Sequence, residues 1–485
     1  MNSFISKFCY YAFGLSFPLN LLYLVPPLIF YRQLVKLFKN NYFRIFFILI
    51  PPTIIFIKLL RNDPFFLSDD FAHLNLVSNY SFLEIAKNAL TRGIWVGHRI
   101  FAAFWVFKGI FHIFGTRVEA YLFLNYLLHA LNLIIFYKII EKIKKGTFIS
   151  VFITFILGTF YLTWISNIHE LMGGTFVLLT LYFWFKFLLE GKKYNWVSTV
   201  FYLLAIFSKE ITFLAVPALF LFSVFFHFNF KKLNLRKVTK GFSPLLVIFL
   251  FYSIFYASTF LGYSRLPSDA GYKMAFSLGL FLKNLLIYTS MLVPVLKSIW
   301  GRGIILLLVF LGFDLVKRKP LTTPFILSYF LFLIPPSLFA NRISNYYTYI
   351  PSFFLFFALA LIFWEFSKVK IFSNKLVVVL SIFIVALGIF GAGKLFMDNC
   401  FLIQFPWKKE YKGAFLSLAK RIDQMTLDGK LIAGSEIRLS EREITSDMEE
   451  LYDTGTLHLF MKEKQAQNFR FIYNKERNSL IVDAK

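Results

Sequence analysis

The dominant pattern along the chain is a repetition of apolar runs of about 20 residues, divided by short loops rich in Lys and Arg. A run of that length crosses the hydrocarbon core of a bilayer as an α-helix. The runs are continuous and do not alternate with polar residues, which excludes a transmembrane β-barrel. The pattern therefore predicts an all-α polytopic membrane protein with about 11 or 12 transmembrane helices.

The basic loops orient these helices, because Lys and Arg concentrate on the cytoplasmic side. Residues 8–30 contain three prolines and either span the membrane or lie at its surface. Residues 274–296 are predicted to be re-entrant or interfacial, which keeps the Lys317 cluster inside. The predicted crossings are Ile45–Leu60, Val118–Tyr137, Phe148–Ile165, Leu171–Leu189, Trp196–Phe207, Ile211–Phe228, Phe242–Leu261, Ile304–Val316, Leu321–Phe339, Pro351–Phe366 and Leu376–Phe390.

The chain divides by composition into residues 1–395, a transmembrane domain, and residues 396–485. The first outer loop, residues 61–117, is long and carries two amphipathic helical patterns. After residue 396 the apolar runs stop and charges become dense. A helix over Lys408–Met425 and strands over Lys430–Ile437, Phe469–Tyr473 and Leu480–Val482 predict a small extracytoplasmic α/β domain.

Composition supports the membrane assignment and limits the partners. Of 485 residues 58% are hydrophobic and only 16% are charged, with a net charge of +26. Because the cations sit mostly in short loops, they act as orientation signals and lipid contacts, and we do not expect nucleic acid as a partner. Cys9 and Cys400 suggest neither a disulfide framework nor a metal site.

The first outer loop begins with two adjacent carboxylates, Asp69 and Asp70. Carboxylates near hydrocarbon are costly unless they are hydrated, paired or functional. Neighbouring carboxylates raise one another's pKa, which is one way in which a site obtains a general base. The alternative is that Ser68 or Asp69 simply caps the helix that follows.

Acids, histidines and arginines collect at the predicted outer edge, whereas the inner edge holds mostly lysines. Orientation signals need only Lys or Arg, so the mixed outer set favours a functional site. Individually these residues have simpler explanations: a helix cap for His169–Glu170, a solvated turn for Lys209–Glu210 and a snorkelling side chain for Arg342. The outer set is Asp69, Asp70, His98, Arg99, His169, Glu170, Lys209, Glu210, Arg265 and Arg342.

At these residues the chain resembles the GT-C glycosyltransferases, multi-pass enzymes that use polyprenyl-phosphate-linked sugars. It is most similar to the membrane domain of protein O-mannosyltransferases that carry tetratricopeptide repeats, although no such repeats follow here. The resemblance runs from Leu67 to about Pro351. It rests on the motifs Ser68-Asp69-Asp70-Phe71, FGTRVEAYLFLNYLLHALN with Asn125, His129 and Asn132, His169-Glu170, Ser208-Lys209-Glu210, and NRISNYYTYIP with Arg342 and Tyr346.

The resemblance implies an inverting transfer in which Asp69, or else Asp70, deprotonates the acceptor hydroxyl. It implies a polyprenyl-phosphate sugar donor and a lipid, glycan or protein acceptor. Lys209, Arg342 and Arg99 would neutralise the leaving phosphate. His98, His169, Glu170, Glu210 and Tyr346 would shape the substrate site. No cofactor is certain, but some relatives use a divalent ion such as Mg or Mn, for which Asp69, Asp70 and Glu170 are candidates.

The resemblance also implies a multi-pass protein of the inner (plasma) membrane whose active site faces the extracytoplasmic side. Two other functions remain open from the sequence. An O-antigen polymerase or ligase would centre on Arg and His and would not need Asp69. A non-enzymatic lipid or solute transporter would carry charges near the bilayer midplane and internal repeats, neither of which the sequence displays.

Overall fold

The computed structural model consists of two compact units, defined by contacts between residues. The first contains Met1–Ile55, Tyr126–Leu162 and His169–Phe396, and the second contains Phe56–Asn125, Thr163–Ile168 and Met397–Lys485. The structure describes residues 38–61, 64–66, 69–90, 105–143, 147–159, 164–190, 193–229, 235–265, 267–268, 273–292, 299–366, 412–440, 457–461, 466, 469–474, 477 and 479–484.

The described helices follow the apolar pattern closely. Three 3₁₀-helices, Ile165–Asn167, Glu210–Leu214 and Asn345–Thr348, each lead directly into an α-helix. The α-helices are α1 (Asn41–Arg61), α2 (Asp69–Asn79), α3 (Phe82–Leu90), α4 (Phe107–Phe114), α5 (Val118–Ile143), α6 (Thr147–Leu157), α7 (Ile168–Glu190), α8 (Lys193–Ile206), α9 (Ala215–Asn229), α10 (Leu235–Ser264), α11 (Leu278–Leu292), α12 (Ile299–Lys317), α13 (Thr323–Ser337) and α14 (Tyr349–Phe366).

Five helical segments of the described chain are long and apolar enough to cross a membrane. They are Asn41–Arg61, Val118–Ile143, Ile165–Glu190, Glu210–Asn229 and Tyr346–Glu365. Together with the shorter apolar helices they confirm the predicted class, an all-α polytopic membrane protein. Residues 8–30 and the predicted crossing at Leu376–Phe390 lie outside the described residues.

The predicted crossing Phe148–Ile165 is wrong in its extent. The helix α6 ends at Leu157, and Ile165 begins a 3₁₀-helix. Gly158 follows α6 at a close approach, because a Cβ atom there would lie 3.2 Å from Pro52 Cδ and 3.3 Å from Leu133 Cδ1. Glycine fits at this crowded position because it has no Cβ atom.

The helix α14 lies at the centre of the first unit. Of its apolar window 83% is buried, against 22% for α1, so α14 contacts protein along most of its length. It packs against α13 and α6, and α13 packs in turn against α9 and α11. Residue Met274 pairs with Phe339 in an isolated β-bridge before α11 begins, and the re-entrant course of 274–296 stays a prediction.

The second unit combines the amphipathic helices of the first loop with the C-terminal segments. A capping box starts α3: the N–H of Ser81 donates to Glu84 Oε2 (2.7 Å), and the N–H of Glu84 donates to Ser81 Oγ (3.2 Å). The bond from the Ser81 N–H holds the pKa of Glu84 below its usual value. The two helices predicted in this loop are therefore present.

The C-terminal segments form the predicted small α/β arrangement, with residues 412–427 helical. Strands β1 (Glu436–Arg438), β2 (Phe469–Asn474) and β3 (Ser479–Ala484) make an antiparallel sheet in the order β1-β3-β2. The first strand is shorter than the predicted Lys430–Ile437. The Ser479 hydroxyl donates to Glu436 across this sheet and lowers the pKa of that carboxyl group.

Candidate functional site

The acidic pair opens the helix α2, and its two carboxylates have different surroundings. Asp70 is buried, and its Oδ1 accepts hydrogen bonds from the Ser166 backbone N–H (2.8 Å) and from the Ser166 hydroxyl. Asp69 is half-buried beside it. Acids in the first turn of a helix are favoured by the helix dipole, so both positions suit a carboxylate. These hydrogen bonds connect Asp70 to the 3₁₀-helix Ile165–Asn167.

His73 joins this cluster one turn after the acidic pair. Its Nδ1 lies 2.7 Å from the Asp69 carbonyl oxygen and 3.2 Å from Ser166 Oγ, and its ring centroid is 5.5 Å from that of Phe107. Neither His73 nor Ser166 was among the site residues predicted from the sequence. The spacing of His73 from Asp69, four residues on a helix, was the available signal, whereas nothing in the sequence indicated Ser166.

Asn125 fixes the segment that carries Ser166. Its Nδ2 donates to the carbonyl oxygens of Trp164 (3.1 Å) and Ile165 (3.2 Å). Buried side-chain amides commonly satisfy backbone carbonyls in irregular segments, where no ladder does so. Asn125 therefore helps to position the partner of Asp70.

An aromatic cluster supports α2 within the second unit. The Phe71 ring lies 5.9 Å from Phe415 and 6.0 Å from Phe460, and the Phe415 and Phe460 rings are 4.9 Å apart. Phe65 contacts the same three rings. The C-terminal segments therefore pack directly against the helix that begins with Asp69 and Asp70.

The first unit contains a second polar cluster, built on a buried ion pair. Lys209 Nζ lies 2.8 Å from Glu170 Oε1 and 3.5 Å from Glu210 Oε1, and the side chains of Lys209 and Glu170 are each 2% exposed. A solvated turn at Lys209 is therefore wrong. Glu170 and His169 lie in the first turn of α7 and not in the short loop that the sequence predicted.

Close backbone packing makes room for this ion pair. A Cβ atom on Gly173 would lie 2.9 Å from Lys209 Cβ and 3.1 Å from Thr212 Cγ2. Lys209 itself is extended, immediately before the 3₁₀-helix Glu210–Leu214. Glycine at 173 thus allows the chain carrying Lys209 to lie against α7, one turn from Glu170.

Tyr346 connects Lys209 with Arg342. Lys209 Nζ lies 5.7 Å from the Tyr346 ring centroid and 5.6 Å from that of Tyr347, within the range of a cation–π contact. The Nε–H of Arg342 donates to the Tyr346 hydroxyl (3.1 Å). Six of the predicted site residues therefore belong to the first unit: His169, Glu170, Lys209, Glu210, Arg342 and Tyr346.

Tyr349 forms a hydrogen-bonded centre nearby. Its hydroxyl lies 2.8 Å from His129 Nδ1 and accepts a hydrogen bond from Asn132 Nδ2 (2.9 Å), which also donates to the Leu171 carbonyl (3.0 Å). These contacts join α5, α7 and α14 close to Glu170. His129 and Asn132 belong to the motif on which the resemblance rests, but no role was predicted for them.

One comparison with known proteins gave a match. The family model described as dolichyl-phosphate-mannose-protein mannosyltransferase matches residues 98–256, about a third of the chain. This match supports a mannosyltransferase-like membrane protein of the GT-C type. No curated protein and no solved structure matches it significantly.

The same match supports a membrane glycosyltransferase as the class of enzyme. The matched segment contains His169, Glu170, Lys209 and Glu210, and so includes both partners of the buried ion pair. Asp69, Asp70, Arg342 and Tyr346 lie outside it. His98 and Arg99 begin the matched segment but lie outside the residues that the structure describes.

The divalent ion stays a prediction. Within the described parts of the chain, no group of three His, Cys, Asp or Glu side chains is arranged to hold a metal ion. The candidate ligands already have other contacts: Asp70 accepts from Ser166, and Glu170 pairs with Lys209.

Proposed function

We propose that this GT-C glycosyltransferase transfers a sugar from a polyprenyl-phosphate donor to a lipid, glycan or protein acceptor on the extracytoplasmic side of the membrane. The observation that carries the proposal is the difference between the two adjacent carboxylates. Asp70 is held by Ser166 and positions the start of α2. Asp69, half-buried on the same turn, is the residue that we assign as general base.

In the proposed reaction, the acceptor hydroxyl gives its proton to the Asp69 carboxylate as its oxygen attacks the anomeric carbon. The bond from that carbon to the phosphate oxygen breaks, and its electron pair leaves with the polyprenyl phosphate. Attack opposite the leaving group inverts the configuration of the anomeric carbon. The lipid phosphate gains negative charge, so cations aimed at it stabilise the transition state.

Arg342 is our first candidate for the contact to the phosphate. It is half-buried, and a guanidinium group binds phosphate through two parallel hydrogen bonds. Lys209 is the second candidate, because it is already paired with Glu170 and Glu210 and less of its charge remains for a ligand. Tyr346 bonds to Arg342 and holds it in place.

The experiment is turnover by the purified protein with a panel of polyprenyl-phosphate sugars and acceptors, comparing Asp69→Asn with the wild type. We expect the wild type to release lipid phosphate and form glycosylated acceptor. The variant should lose about 10²–10⁴-fold in rate, the usual contribution of a general base.

Glu119→Gln is the matched control, since it removes an exposed acid from the first turn of α5 and should leave the rate unchanged. Near-wild-type turnover by Asp69→Asn would refute the role of Asp69 as base. A wild type that turns over no member of the panel would refute the donor class, and sugar movement across the membrane without lipid phosphate release would favour a transporter.

A further inference from the structure

A groove in the first unit lies at the other end of the helices that carry the Glu170–Lys209 pair. Its volume is about 930 Å³, at the upper end of the roughly 300–1,000 Å³ typical of ligand sites. Phe187, which lines it, follows Glu170 by 17 residues on α7, or about 25 Å along the helix axis. Asn195 lies in the first turn of α8, whereas Lys209 follows the last turn.

The walls of the groove are apolar and face outward from the fold. Trp196, Val200 and Leu203 line one side and Val247 and Ile248 the other. Trp196 is 66% exposed. Tryptophan is enriched where a membrane protein meets the headgroup region, because its ring is apolar and its N–H is polar. Such a surface suits acyl chains.

Two cations, Arg236 and Lys240, lie at the polar end of the groove. They are four residues apart at the start of α10, and both are exposed. In the part of the chain that the structure describes, neither forms an ion pair, and no acidic residue lines the groove. The N-terminal end of a helix dipole is positive, so the charges of Arg236 and Lys240 are unfavourable at this position unless an anion binds them. A bound phosphate group would stabilise this end of α10.

Asn195 supplies a second, independent indication of a ligand. The residue is 8% exposed, and its Oδ1 is buried without a hydrogen-bond partner among the described residues. The nearby Thr199 hydroxyl does not serve this oxygen, because it donates to the Asn195 backbone carbonyl (3.1 Å). A buried acceptor without a donor is costly, so the site suits a molecule that brings a hydroxyl group.

We propose that this groove binds an anionic glycerophospholipid with a hydroxylated headgroup, of the phosphatidylglycerol class. The phosphate contacts Arg236 and Lys240, a headgroup hydroxyl donates to Asn195 Oδ1, and the acyl chains lie along Trp196 and Val247. The positive-inside pattern assigns this end of the helices to the cytoplasmic leaflet, where anionic lipids attract basic residues. Within the first unit, the groove is thus separate from the Glu170–Lys209 pair.

The test is the thermal unfolding of the full chain in detergent with added phosphatidylglycerol or phosphatidylcholine. We expect phosphatidylglycerol to raise Tm in a saturable manner and phosphatidylcholine to have little effect. Arg236→Gln/Lys240→Gln should raise the half-saturating concentration about thirtyfold, given the usual contribution of a basic residue to binding anionic lipid. Asn195→Leu should weaken binding of phosphatidylglycerol as well.

The matched control is Lys138→Gln/Lys319→Gln, which removes two exposed cations from the same predicted side, outside the groove. It should keep the wild-type response. Equal responses to the two lipids, or equal losses in both double variants, would overturn the proposal.

A second measurement needs no substitution of Arg236, Lys240 or Asn195. Phosphatidylglycerol brominated on its acyl chains should quench the fluorescence of Trp196, and unlabelled phosphatidylglycerol should reverse the quenching. The contribution of Trp196 is the part of the emission that the variant Trp196→Phe lacks. Reversal by phosphatidylcholine at the same concentration would overturn the proposal.

Discussion

Breaking the buried Glu170–Lys209 pair should destabilise the protein, and the two single substitutions should differ. Lys209→Met leaves Glu170 buried without its ammonium partner at 2.8 Å. Removing one partner of a buried ion pair costs about 3–5 kcal/mol, because an uncompensated charge stays in the interior. In Glu170→Gln, Lys209 keeps Glu210 at 3.5 Å, so we expect a smaller cost of about 1–3 kcal/mol.

The double variant Glu170→Gln/Lys209→Met measures the coupling between the two residues. It removes both charges at once, and the remaining Glu210 side chain is 22% exposed and reaches water. We therefore expect the double variant to be about 0.5–3 kcal/mol more stable than the sum of the single effects predicts. The assay is equilibrium unfolding in mixed micelles, with sugar transfer measured on the same samples.

Lys142→Met provides the matched control, since Lys142 forms a more exposed ion pair of similar length with Glu190 (3.1 Å). An exposed pair contributes little, so no measurable loss of stability is expected. If the two substitutions in the Glu170–Lys209 pair were additive to within about 0.3–0.5 kcal/mol, the pair would not act as a coupled unit. A wild-type unfolding free energy for Lys209→Met would refute the reasoning directly.

Two further substitutions test the packing around the two clusters. Phe415→Ala should cost about 3–5 kcal/mol of unfolding free energy and reduce sugar transfer, because it opens a cavity against Phe71 on the helix that begins with Asp69. The control Leu416→Ala, at an exposed neighbouring position, should have little effect on stability. Unchanged stability of Phe415→Ala would contradict the role of the aromatic cluster as a support for α2. Gly173→Ala should lower the unfolding free energy by about 1–3 kcal/mol, because its Cβ would lie 2.9 Å from Lys209 Cβ. A melting temperature equal to that of the wild type would contradict this prediction, since the neighbouring side chains would then have moved apart without cost.

The contacts of Asp70 depend on distant parts of the chain. The Asp70–Ser166 contact joins residues 96 positions apart and rests on Asn125 and on the C-terminal phenylalanines. The C-terminal segments therefore have a structural role that their sequence did not indicate, as support for the acidic helix. Substitutions there should influence transfer without touching the substrate.

The sequence by itself determined the class of the protein, most of its helices and the residue types of the candidate site. Those features depend on local patterns: the length of each apolar run reports burial in lipid, and acids, histidines and arginines stand out at the run ends. The two helices of the first loop and the C-terminal strands were predictable for the same reason. Helix ends such as Leu157 were not, because packing at Gly158 decides them.

Only the tertiary structure decided which polar residues meet. Glu170 and Lys209 are 39 residues apart, and the sequence offered Lys209 several partners, including solvent and a phosphate. Burial of both side chains made the ion pair necessary, since a charge in the interior needs an opposite charge close by. In the same way, Ser166 became the partner of Asp70 only when distant parts of the chain packed together. Packing also made Asn195, a residue that lines the groove, a buried acceptor.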